Sequence, residues 1–313
     1  MTASTSDTIE FLQRQDILAT AVKCPGPEIN GERPNPCFHD MSMKSVKDRK
    51  DGLTWRCRKT HKYTKDGKQY SCKDVKVSIR NLTWMQDSNL ELGVIVELIY
   101  LWSQGTPLIQ IEHELHLSHK TVIEWSAYFR DICQFKIMSN SCKIGGPGVH
   151  VEIDESKFGK RKYYKGKKVL GQWVFGGRET EDKSKVFMVP VKNRKARTLV
   201  PLIVKWIEPG SIIHSDCWRA YSKLSKLGYQ HVTVNHSKHF VDPDTKACTN
   251  RIECDWRHAK VSLPRYGVHR GLHSGYLAEF MWKRKHSHHD LFLQLLTDIN
   301  SSFTDGHFTC INV

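Results

Sequence analysis

The order of strand-like and helix-like segments between residues 149 and 263 restricts the possible folds more than any other feature of the sequence. In the first strand-like segment, Val151 and Ile153 alternate with the acidic Glu152 and Asp154. The predicted segments are strands at 149–154, 172–177 and 185–191, a helix at 196–207, a strand at 211–216, a helix at 218–228, a strand at 231–234 and a helix at 249–263. This order predicts an α/β domain with a mixed sheet.

The same order of elements is that of the ribonuclease H-like fold, which carries acidic side chains at three positions. These are the middle of the first strand, the end of the fourth strand and the last helix, which here hold Asp154, Asp216 and Glu253. Three carboxylates in one site repel one another unless cations lie between them. The sequence therefore predicts a site for two Mg²⁺ or Mn²⁺ ions about 4 Å apart, which would stabilise the attacking and leaving oxygens of a phosphoryl transfer.

Each of these acids also has a purely structural interpretation. Glu152 shares a strand face with Asp154 and could be the ligand instead, whereas Glu155 is expected to point to the other face. Asp216 could cap the helix that follows it, and Glu253 could be a first-turn acid that the helix dipole favours. The metal site is favoured because three such coincidences on one order of elements are improbable.

A basic segment follows the first strand directly, with seven Lys or Arg among residues 157–168. The formal net charge of +15 favours a polyanionic partner, although solubility alone could explain part of it. We expect the metal ions to hold one scissile phosphate and the basic segment to hold the neighbouring DNA backbone. The side chains assigned to this DNA contact are Lys160, Arg161, Lys162 and Lys165.

A second group of candidate metal ligands lies in residues 23–80, a polar segment with little helical periodicity. A Zn²⁺ ion held by four thiolates supplies the stability that such a segment lacks. No Cys-x-x-Cys pair is present, so His39 or His61 could replace one cysteine, and reduced cysteines without metal are the alternative. The predicted ligands are Cys24, Cys37, Cys57 and Cys72.

Helical periodicity dominates residues 90–138. A first helix ends at Gly105, Thr106 and Pro107 then supply an N-cap and a first-turn proline, and Ser118 is the N-cap of a third helix. Helix, tight turn and helix of this size are typical of a helix-turn-helix, although an ordinary three-helix bundle has the same pattern. In the DNA-binding interpretation, the residues that face the major groove are His119, Lys120 and Thr121.

Composition also restricts the compartment. No apolar segment approaches the roughly 20 residues that a membrane span needs, and the N-terminus lacks the layout of a signal peptide. Ten cysteines without such a signal favour reduced thiols or metal ligands. We therefore expect the protein to be intracellular and not secreted, in the nucleus of a eukaryotic host or otherwise in the bacterial cytoplasm.

Four stretches of the sequence carry a family resemblance. They are VEIDESKFGKRKYYKGKKVLGQWVFGG, IIHSDCWRAYSKL, GYQHVTVNHSKHFVDPDTKACTNRIECDWRHAK and LPRYG. From about residue 145 to 285 the chain resembles the Merlin-type DDE transposases and their bacterial insertion-sequence relatives of the ISXO type. The segments WRC at 55–57 and SIR at 78–80 resemble the N-terminal half of the same family more loosely.

The resemblance implies a cut-and-paste transposase with a ribonuclease H-like core, two divalent metal ions, a zinc ribbon and a helix-turn-helix. By motif, the DDE acids are Asp154, Asp216 and Glu253. Lys260, seven residues after Glu253 on the same helix face, matches the basic residue that the family places near the scissile DNA. The implied partners are the terminal inverted repeats and target DNA, bound by a homo-oligomer, and no membrane partner is expected.

The sequence departs from the family pattern in its cysteines. The ribbon normally begins with a close Cys pair, but Cys37 has no near partner, and Cys248 and Cys254 flank the third acid. A domesticated DNA-binding protein without transposition activity and a plain nuclease of the same fold are the alternative functions. Intact acids favour the enzyme, and the long N-terminal region argues against the nuclease.

These observations predict five regions along the chain. They are an N-terminal helix at 1–22, a zinc ribbon at 23–85, a helix-turn-helix region at 86–142, a ribonuclease H-like transposase domain at 143–285, and a C-terminal helix and tail at 286–313.

Overall fold

The computed structural model describes residues 4–28, 31–33, 37–47, 49–59, 62–65, 68–139, 143–159, 171–234, 242, 248–264 and 268–310. The chain divides into two compact units, one of Met1–Tyr128 with Phe292–Val313 and one of Phe129–Leu291. The helices are α1 (Thr5–Arg14), α2 (Leu92–Ser103), α3 (Leu108–Leu115), α4 (His119–Ser139), α5 (Ala196–Trp206), α6 (Asn250–Val261), α7 (His273–Lys285) and α8 (Leu291–Thr304). Within the described ranges, no helix is both long and apolar enough to cross a membrane.

The strands are short in the first unit and longer in the second. They are β1 (Ser42–Ser45), β2 (Leu53–Arg56), β3 (Lys62–Lys65), β4 (Lys68–Ser71), β5 (Lys76–Ser78), β6 (Ile144–Gly145), β7 (His150–Phe158), β8 (Gln172–Glu179), β9 (Val186–Val191), β10 (Ile207–Glu208), β11 (Ile212–Asp216) and β12 (Gln230–Val234).

Helix α1 begins with a capping box. The Ser4 hydroxyl accepts the backbone N–H of Asp7 at 3.2 Å, and the Asp7 carboxylate accepts the backbone N–H of Ser4, also at 3.2 Å. The predicted N-terminal region extended to residue 22, but the helix ends at Arg14. Asp16 follows with a φ of 55°, a left-handed conformation that cannot continue a helix.

Two small antiparallel sheets follow in the first unit. Strands β1, β2 and β5 form one sheet, in which Met43, Trp55 and Val77 lie in register, and strands β3 and β4 form a hairpin. Trp55 and Val77 are buried, while Arg56 and Lys76 on the other face are exposed. This alternation gives each strand one apolar face, and the apolar faces together form a small core.

Helices α2, α3 and α4 follow one another with tight turns, as the sequence predicts. His116 adopts a φ of 52° and ends α3, and the Ser118 hydroxyl accepts the N–H of Thr121 at 3.1 Å, which caps α4. Pro107 is the N-cap position of α3, one residue later than expected from Thr106. The helical core contains Trp84 against Trp125 in an edge-to-face contact at 6.3 Å, and both rings are fully buried.

A five-stranded sheet organises the second unit, in the order β12–β11–β7–β8–β9. Strands β7, β8 and β9 form an antiparallel meander, β11 lies parallel to β7, and β12 lies parallel to β11. Helix α6 packs on β7 and β8, and α7 packs on β9. The mixed sheet confirms the predicted α/β class.

Two elements of this unit differ from the prediction. The segment expected as one helix at 218–228 forms two short 3₁₀ turns, Arg219–Tyr221 and Leu224–Leu227, which end at Gly228 with a φ of 85°. Helix α7 was not predicted, because its periodicity is masked by Lys283, Arg284 and Lys285 in its last turn. Its buried side chains include Leu277, Met281 and Trp282.

Candidate active site

Asp154 lies in the middle of β7 and is the best-defined acid of the site. Its Oδ2 accepts a hydrogen bond from the indole N–H of Trp256 on α6 at 3.0 Å. Burial and, to a smaller extent, the charges of Asp216 and Glu253 raise its pKa to about 6, although hydrogen bonds from the Glu155 backbone and Trp256 act in the opposite direction. The three predicted acids therefore share one electrostatic site.

A close approach across the sheet makes the contact between Trp256 and Asp154 possible. Gly176 on β8 lies opposite Asp154 in the strand register. A Cβ atom added to Gly176 would lie 2.6 Å from the Trp256 ring and 2.8 Å from the carbonyl oxygen of Phe187. The absence of a side chain at Gly176 therefore leaves room for the indole to reach the strand that carries Asp154.

Asp216 is the last residue of β11, the strand next to β7. Its Oδ1 accepts the backbone N–H of Trp218 at 3.0 Å, so the capping interpretation holds for one oxygen of the carboxylate. A carboxylate has two oxygens, so this bond does not exclude a role as a metal ligand. Among the described residues, the oxygens of Asp154, Asp216 and Glu253 do not form a set within 4.8 Å of one another, whereas one set of cysteine sulfurs does.

Glu253 lies in the first turn of α6, where the helix dipole favours an acid. The hydroxyl of Thr249 donates to its Oε1 at 3.1 Å. The residue is exposed, unlike the half-buried Asp154 and Asp216.

Glu152 has a different environment from the three acids. Its side chain is fully buried, and its Oε2 accepts the backbone N–H groups of Arg251 at 2.8 Å and Ile252 at 3.0 Å. Its Oε1 accepts the Arg251 guanidinium at 3.2 Å and faces the thiol of Cys248 at 3.6 Å. Glu152 therefore anchors the start of α6, the helix that carries Glu253.

Glu155 follows Asp154 on β7, and its contacts differ from those of the residues on either side of it. Asp154 and Ser156 contact side chains of α6, whereas the Tyr221 hydroxyl donates to Glu155 and the Arg194 guanidinium lies 3.8 Å away. These contacts agree with the expectation that Glu155 points to the other face. Burial, together with the charges of Asp154 and Asp216, raises its pKa to about 8.

Lys260 projects from the last turn of α6 toward β7. Its ammonium donates to the Ser156 hydroxyl at 2.7 Å and lies 5.4 Å from the centre of the Phe158 ring. Ser156 is two residues after Asp154, so this geometry brings a cation to the strand that carries the central acid.

Comparison with known proteins agrees with this arrangement. Residues 144–285 match the model of the ISXO2-like transposase domain. An uncharacterized transposase-like protein of Haemophilus influenzae is 34% identical over 106 residues, which are 34% of this chain and 85% of that protein. The chain belongs to the ISXO2-like transposase family. No solved structure matches the chain.

The family match confirms the insertion-sequence part of the predicted resemblance, and the Merlin assignment stays a prediction. The Haemophilus relative is bacterial, so the comparison gives no support to a nuclear location. Outside residues 144–285, the function of the transposase has to be argued from the side chains themselves.

The four cysteines predicted as zinc ligands come together in the N-terminal unit of the transposase. The sulfurs of Cys24, Cys37 and Cys72 all lie within 4.8 Å of one another, and Cys57 interacts with both Cys24 and Cys37. Cys24, Cys57 and Cys72 are at most 1% exposed. Four sulfurs in a closed, buried cluster fit a tetrahedral zinc ion.

The environment of the cluster has opposite effects on two of its thiols. Burial alone would raise the pKa of Cys37, but hydrogen bonds from the His39 backbone and side chain and from Cys72 and Cys57 lower it to about 7. Burial raises the pKa of Cys24 to about 12. The His39 Nδ1 lies 3.1 Å from the Cys37 sulfur, and the alternative ligand His61 lies outside the described residues.

The predicted DNA-contacting residues of α4 lie together at its start. His119 and Lys120 are exposed, and each has an acidic neighbour: Glu112 lies 2.6 Å from His119 and Glu124 lies 3.6 Å from Lys120. Thr121 is half-buried and belongs to the helix cap. The predicted contacts of the basic segment, Lys160, Arg161, Lys162 and Lys165, lie outside the described residues.

Proposed function

We propose that the chain is a DNA transposase that cuts transposon ends and joins them to target DNA by two-metal phosphodiester hydrolysis and strand transfer. The observation that carries this proposal is the placement of three acids: Asp154 in the middle of β7, Asp216 at the end of the neighbouring strand β11, and Glu253 on α6, which packs on β7. The charges of Asp216 and Glu253 raise the pKa of Asp154, and an acid perturbed in this way is a sign of a site that binds cations. Membership of a transposase family supports the same reaction.

The strand order supports a ribonuclease H-like core. An antiparallel meander of three strands, followed by two parallel strands beside the first, is the order that the sequence predicts for that fold. The proposed acids then lie in the middle of the first strand, at the end of the fourth strand and on α6.

Asp154, Asp216 and Glu253 would hold two Mg²⁺ or Mn²⁺ ions. When bound, the ions activate the attacking oxygen and stabilise the leaving oxygen of the displacement. The residues of the chain orient these ligands: Trp256 fixes one oxygen of Asp154, and the N–H of Trp218 fixes one oxygen of Asp216. Each bond leaves the second oxygen of its carboxylate able to coordinate a cation.

Lys260 would hold the phosphate beside the cut. Its ammonium is 2.7 Å from the Ser156 hydroxyl of β7, and the residue is exposed. A single flexible ammonium contacts a phosphate oxygen as a point charge, without reading the base sequence.

The N-terminal unit would bind the transposon ends. A zinc-stabilised ribbon at the cysteine cluster and a helix-turn-helix formed by α3 and α4 are modules of the size that DNA recognition uses. The expected partners are the terminal inverted repeats and the target DNA. We also expect a homo-oligomer on the DNA, because two ends have to be cut and joined together.

The deciding experiment is metal-dependent nicking of a labelled terminal repeat from the element that encodes the protein. Wild-type protein should cut in Mg²⁺ or Mn²⁺, while Asp154→Asn, Asp216→Asn and Glu253→Gln should cut more slowly by orders of magnitude. DNA binding should survive in all three, since a negative charge beside phosphate has been removed. Full activity in Asp154→Asn would contradict the site, and wild type that binds but never cuts with either metal would indicate a domesticated DNA-binding protein.

A further inference from the structure

An exposed aromatic side chain is fixed beside one of the proposed metal ligands. Trp218 is 40% exposed, although tryptophan is usually well buried. Its backbone N–H donates to Asp216 Oδ1 at 3.0 Å, and its indole N–H donates to the carbonyl oxygen of Arg194 at 3.1 Å. An exposed side chain that is already held at both ends loses little conformational freedom when a ligand binds to it, so binding costs little entropy.

The Arg194 guanidinium completes the surface. It lies 4.8 Å from the centre of the Trp218 ring and 4.4 Å from the centre of the Trp173 ring, so it makes a cation–π contact with each indole. It is also 3.8 Å from the buried Glu155, and Lys157 lies 5.7 Å from the Trp173 ring. The result is a planar cation and an exposed indole within one cluster, next to the acids.

We propose that Trp218 and Arg194 form a stacking site for an unpaired nucleobase of the DNA strand that is cut. Every base has a π-face, and aromatic rings together with arginine are the side chains on which unpaired bases stack. The backbone nitrogen of Trp218 is 3.0 Å from Asp216, so the site is within a nucleotide or two of any phosphate that Asp216 serves. The inference rests on the proposed function, because that function supplies the cut strand.

The charges around the cluster fit a nucleic-acid strand. Exposed cations flank both of its members, namely Lys192, Lys195, Arg197 and Arg219. They provide phosphate contacts that carry no base information. Contacts with Trp218 and Arg194 would instead strengthen binding only when an unpaired base is present, whereas contacts with the surrounding cations would not depend on the base.

The competing interpretation is that the cluster only stabilises the turn after β11. The two interpretations differ in one measurable quantity, the ratio of affinities for DNA with and without the unpaired base. The probes are a duplex that ends in one unpaired thymidine and the same duplex with an abasic residue at that position. Full-length protein is titrated with each in Ca²⁺ at low salt, so that binding is measured without cutting.

Wild-type protein should prefer the thymidine duplex about tenfold, within the range for one base stacked on an aromatic side chain. Trp218→Ala should reduce the ratio to about one, Trp218→Phe should keep part of it, and Arg194→Lys should lower it because charge remains but planarity is lost. Arg219→Ala is the matched control. It should weaken both duplexes equally and leave the ratio unchanged.

A second measurement does not depend on any variant. 2-Aminopurine in place of the unpaired thymidine should lose fluorescence when wild-type protein binds, because stacking quenches it. Equal affinity of wild type for the two duplexes, an unquenched probe, or an unchanged ratio in folded Trp218→Ala would each overturn the stacking site. The nicking assay tests the proposed function separately. If the protein cuts DNA but shows no preference for the unpaired base, the proposed function stands and the stacking site is wrong. If it shows the preference but never cuts, the stacking site stands and the proposed function is wrong.

Discussion

The two candidate metal sites of this transposase are organised in opposite ways. In the N-terminal unit, the sulfurs of Cys24, Cys37 and Cys72 lie within 4.8 Å of one another, and Cys24 and Cys72 are fully buried. In the sheet domain, the charges of Asp216 and Glu253 raise the pKa of Asp154, yet each of the three acids accepts a hydrogen bond from a separate donor of the protein. A closed set of ligands suits a structural ion, and a set with open positions suits an ion that has to meet a substrate.

This difference in organisation indicates that an ion at the cysteine cluster would stabilise the fold, whereas ions at the acidic site would serve catalysis. Removal of an ion from the cysteine cluster should cost the fold of the small sheets around it, because β1 to β5 are short strands with a small core. Removal of ions from the acidic site should cost activity and leave the fold intact, since the five-stranded sheet has a large core of its own.

The largest expected effect is on the cysteine cluster. We expect about one zinc per chain, and chelation should unfold the N-terminal unit, because structural zinc contributes about 10 to 16 kcal/mol of apparent binding free energy in small zinc peptides. Cys72→Ser should lose the metal, whereas His39→Ala should retain it if Cys24 is the fourth ligand. Metal analysis and far-ultraviolet circular dichroism are the measurements.

Cys254→Ser is the control for the zinc experiment, because Cys254 is exposed and lies in the other unit. It should keep both zinc and fold. A protein that contains no zinc and is still fully folded would contradict the assignment of the cysteine cluster as a structural zinc site.

The second prediction concerns Glu152 and separates anchoring from metal binding. Glu152→Gln replaces an acceptor oxygen by an N–H₂ donor opposite the backbone N–H groups of Arg251 and Ile252. We expect the free energy of unfolding to fall by about 1 to 3 kcal/mol, the usual cost of an unsatisfied buried group. Urea unfolding measures it.

Glu253→Gln is the matched variant, the same change in the first turn of α6, the helix that Glu152 anchors. It should leave the free energy of unfolding nearly unchanged, since Glu253 is exposed, while it abolishes cutting. A stable Glu152→Gln protein with no activity would instead assign Glu152 to the metal ions.

The third prediction is a pH dependence of stability with a defined sign. Burial and neighbouring acids raise the pKa of Asp154 from 3.8 to about 6 and that of Glu155 from 4.5 to about 8. The folded protein thus binds more protons than the unfolded chain between pH 4 and pH 8, so these two groups lower the free energy of unfolding as pH rises through that window.

Mg²⁺ should reverse this loss, because it binds the folded state and replaces the protons. Its addition at pH 8 should raise the melting temperature by about 2 to 4 °C for each kcal/mol gained, and by less at pH 5. Calorimetry of wild type and Asp154→Asn checks both points. An equal Mg²⁺ effect in the variant would mean that the ion binds elsewhere.

The smallest expected effect is on DNA binding by the basic segment. Neutralisation of Lys160, Arg161 and Lys162 should reduce the slope of log affinity against log salt by up to about three, without a change in base preference. Lys120→Ala should shift base preference, because α4 is the element proposed to read the groove. A shift of base preference in the variant without Lys160, Arg161 and Lys162 would mean that the basic segment, and not α4, reads the base sequence.

The sequence predicted most of the sheet domain because strand period, strand order and helix caps are local signals. Strands β7, β8, β9 and β11 and helices α5 and α6 lie within a few residues of their predicted positions. Helix α7 was missed because basic side chains interrupt its apolar pattern. The segment 218–228 was misread as one helix because helical spacing does not distinguish an α-helix from successive 3₁₀ turns.

Within the candidate site, the sequence located the three acids but not their supporting contacts. Trp256 lies in the helix predicted at 249–263, but its bond to Asp154 depends on the missing side chain of Gly176 across the sheet. The bonds from Glu152 to α6 join residues about 100 positions apart. Such contacts follow from tertiary packing, which no local pattern reports.

The hydrogen bonds between β7 and α6 have a mechanical consequence. Glu152 accepts the backbone N–H groups of Arg251 and Ile252, and Asp154 accepts the indole N–H of Trp256, so the strand and the helix hold Asp154 and Glu253 in a fixed relative position. Asp216 ends a different strand, β11, and its carboxylate accepts a hydrogen bond from the turn that follows that strand. Any tightening of the three acids around cations would therefore be a movement of Asp216 relative to the other two.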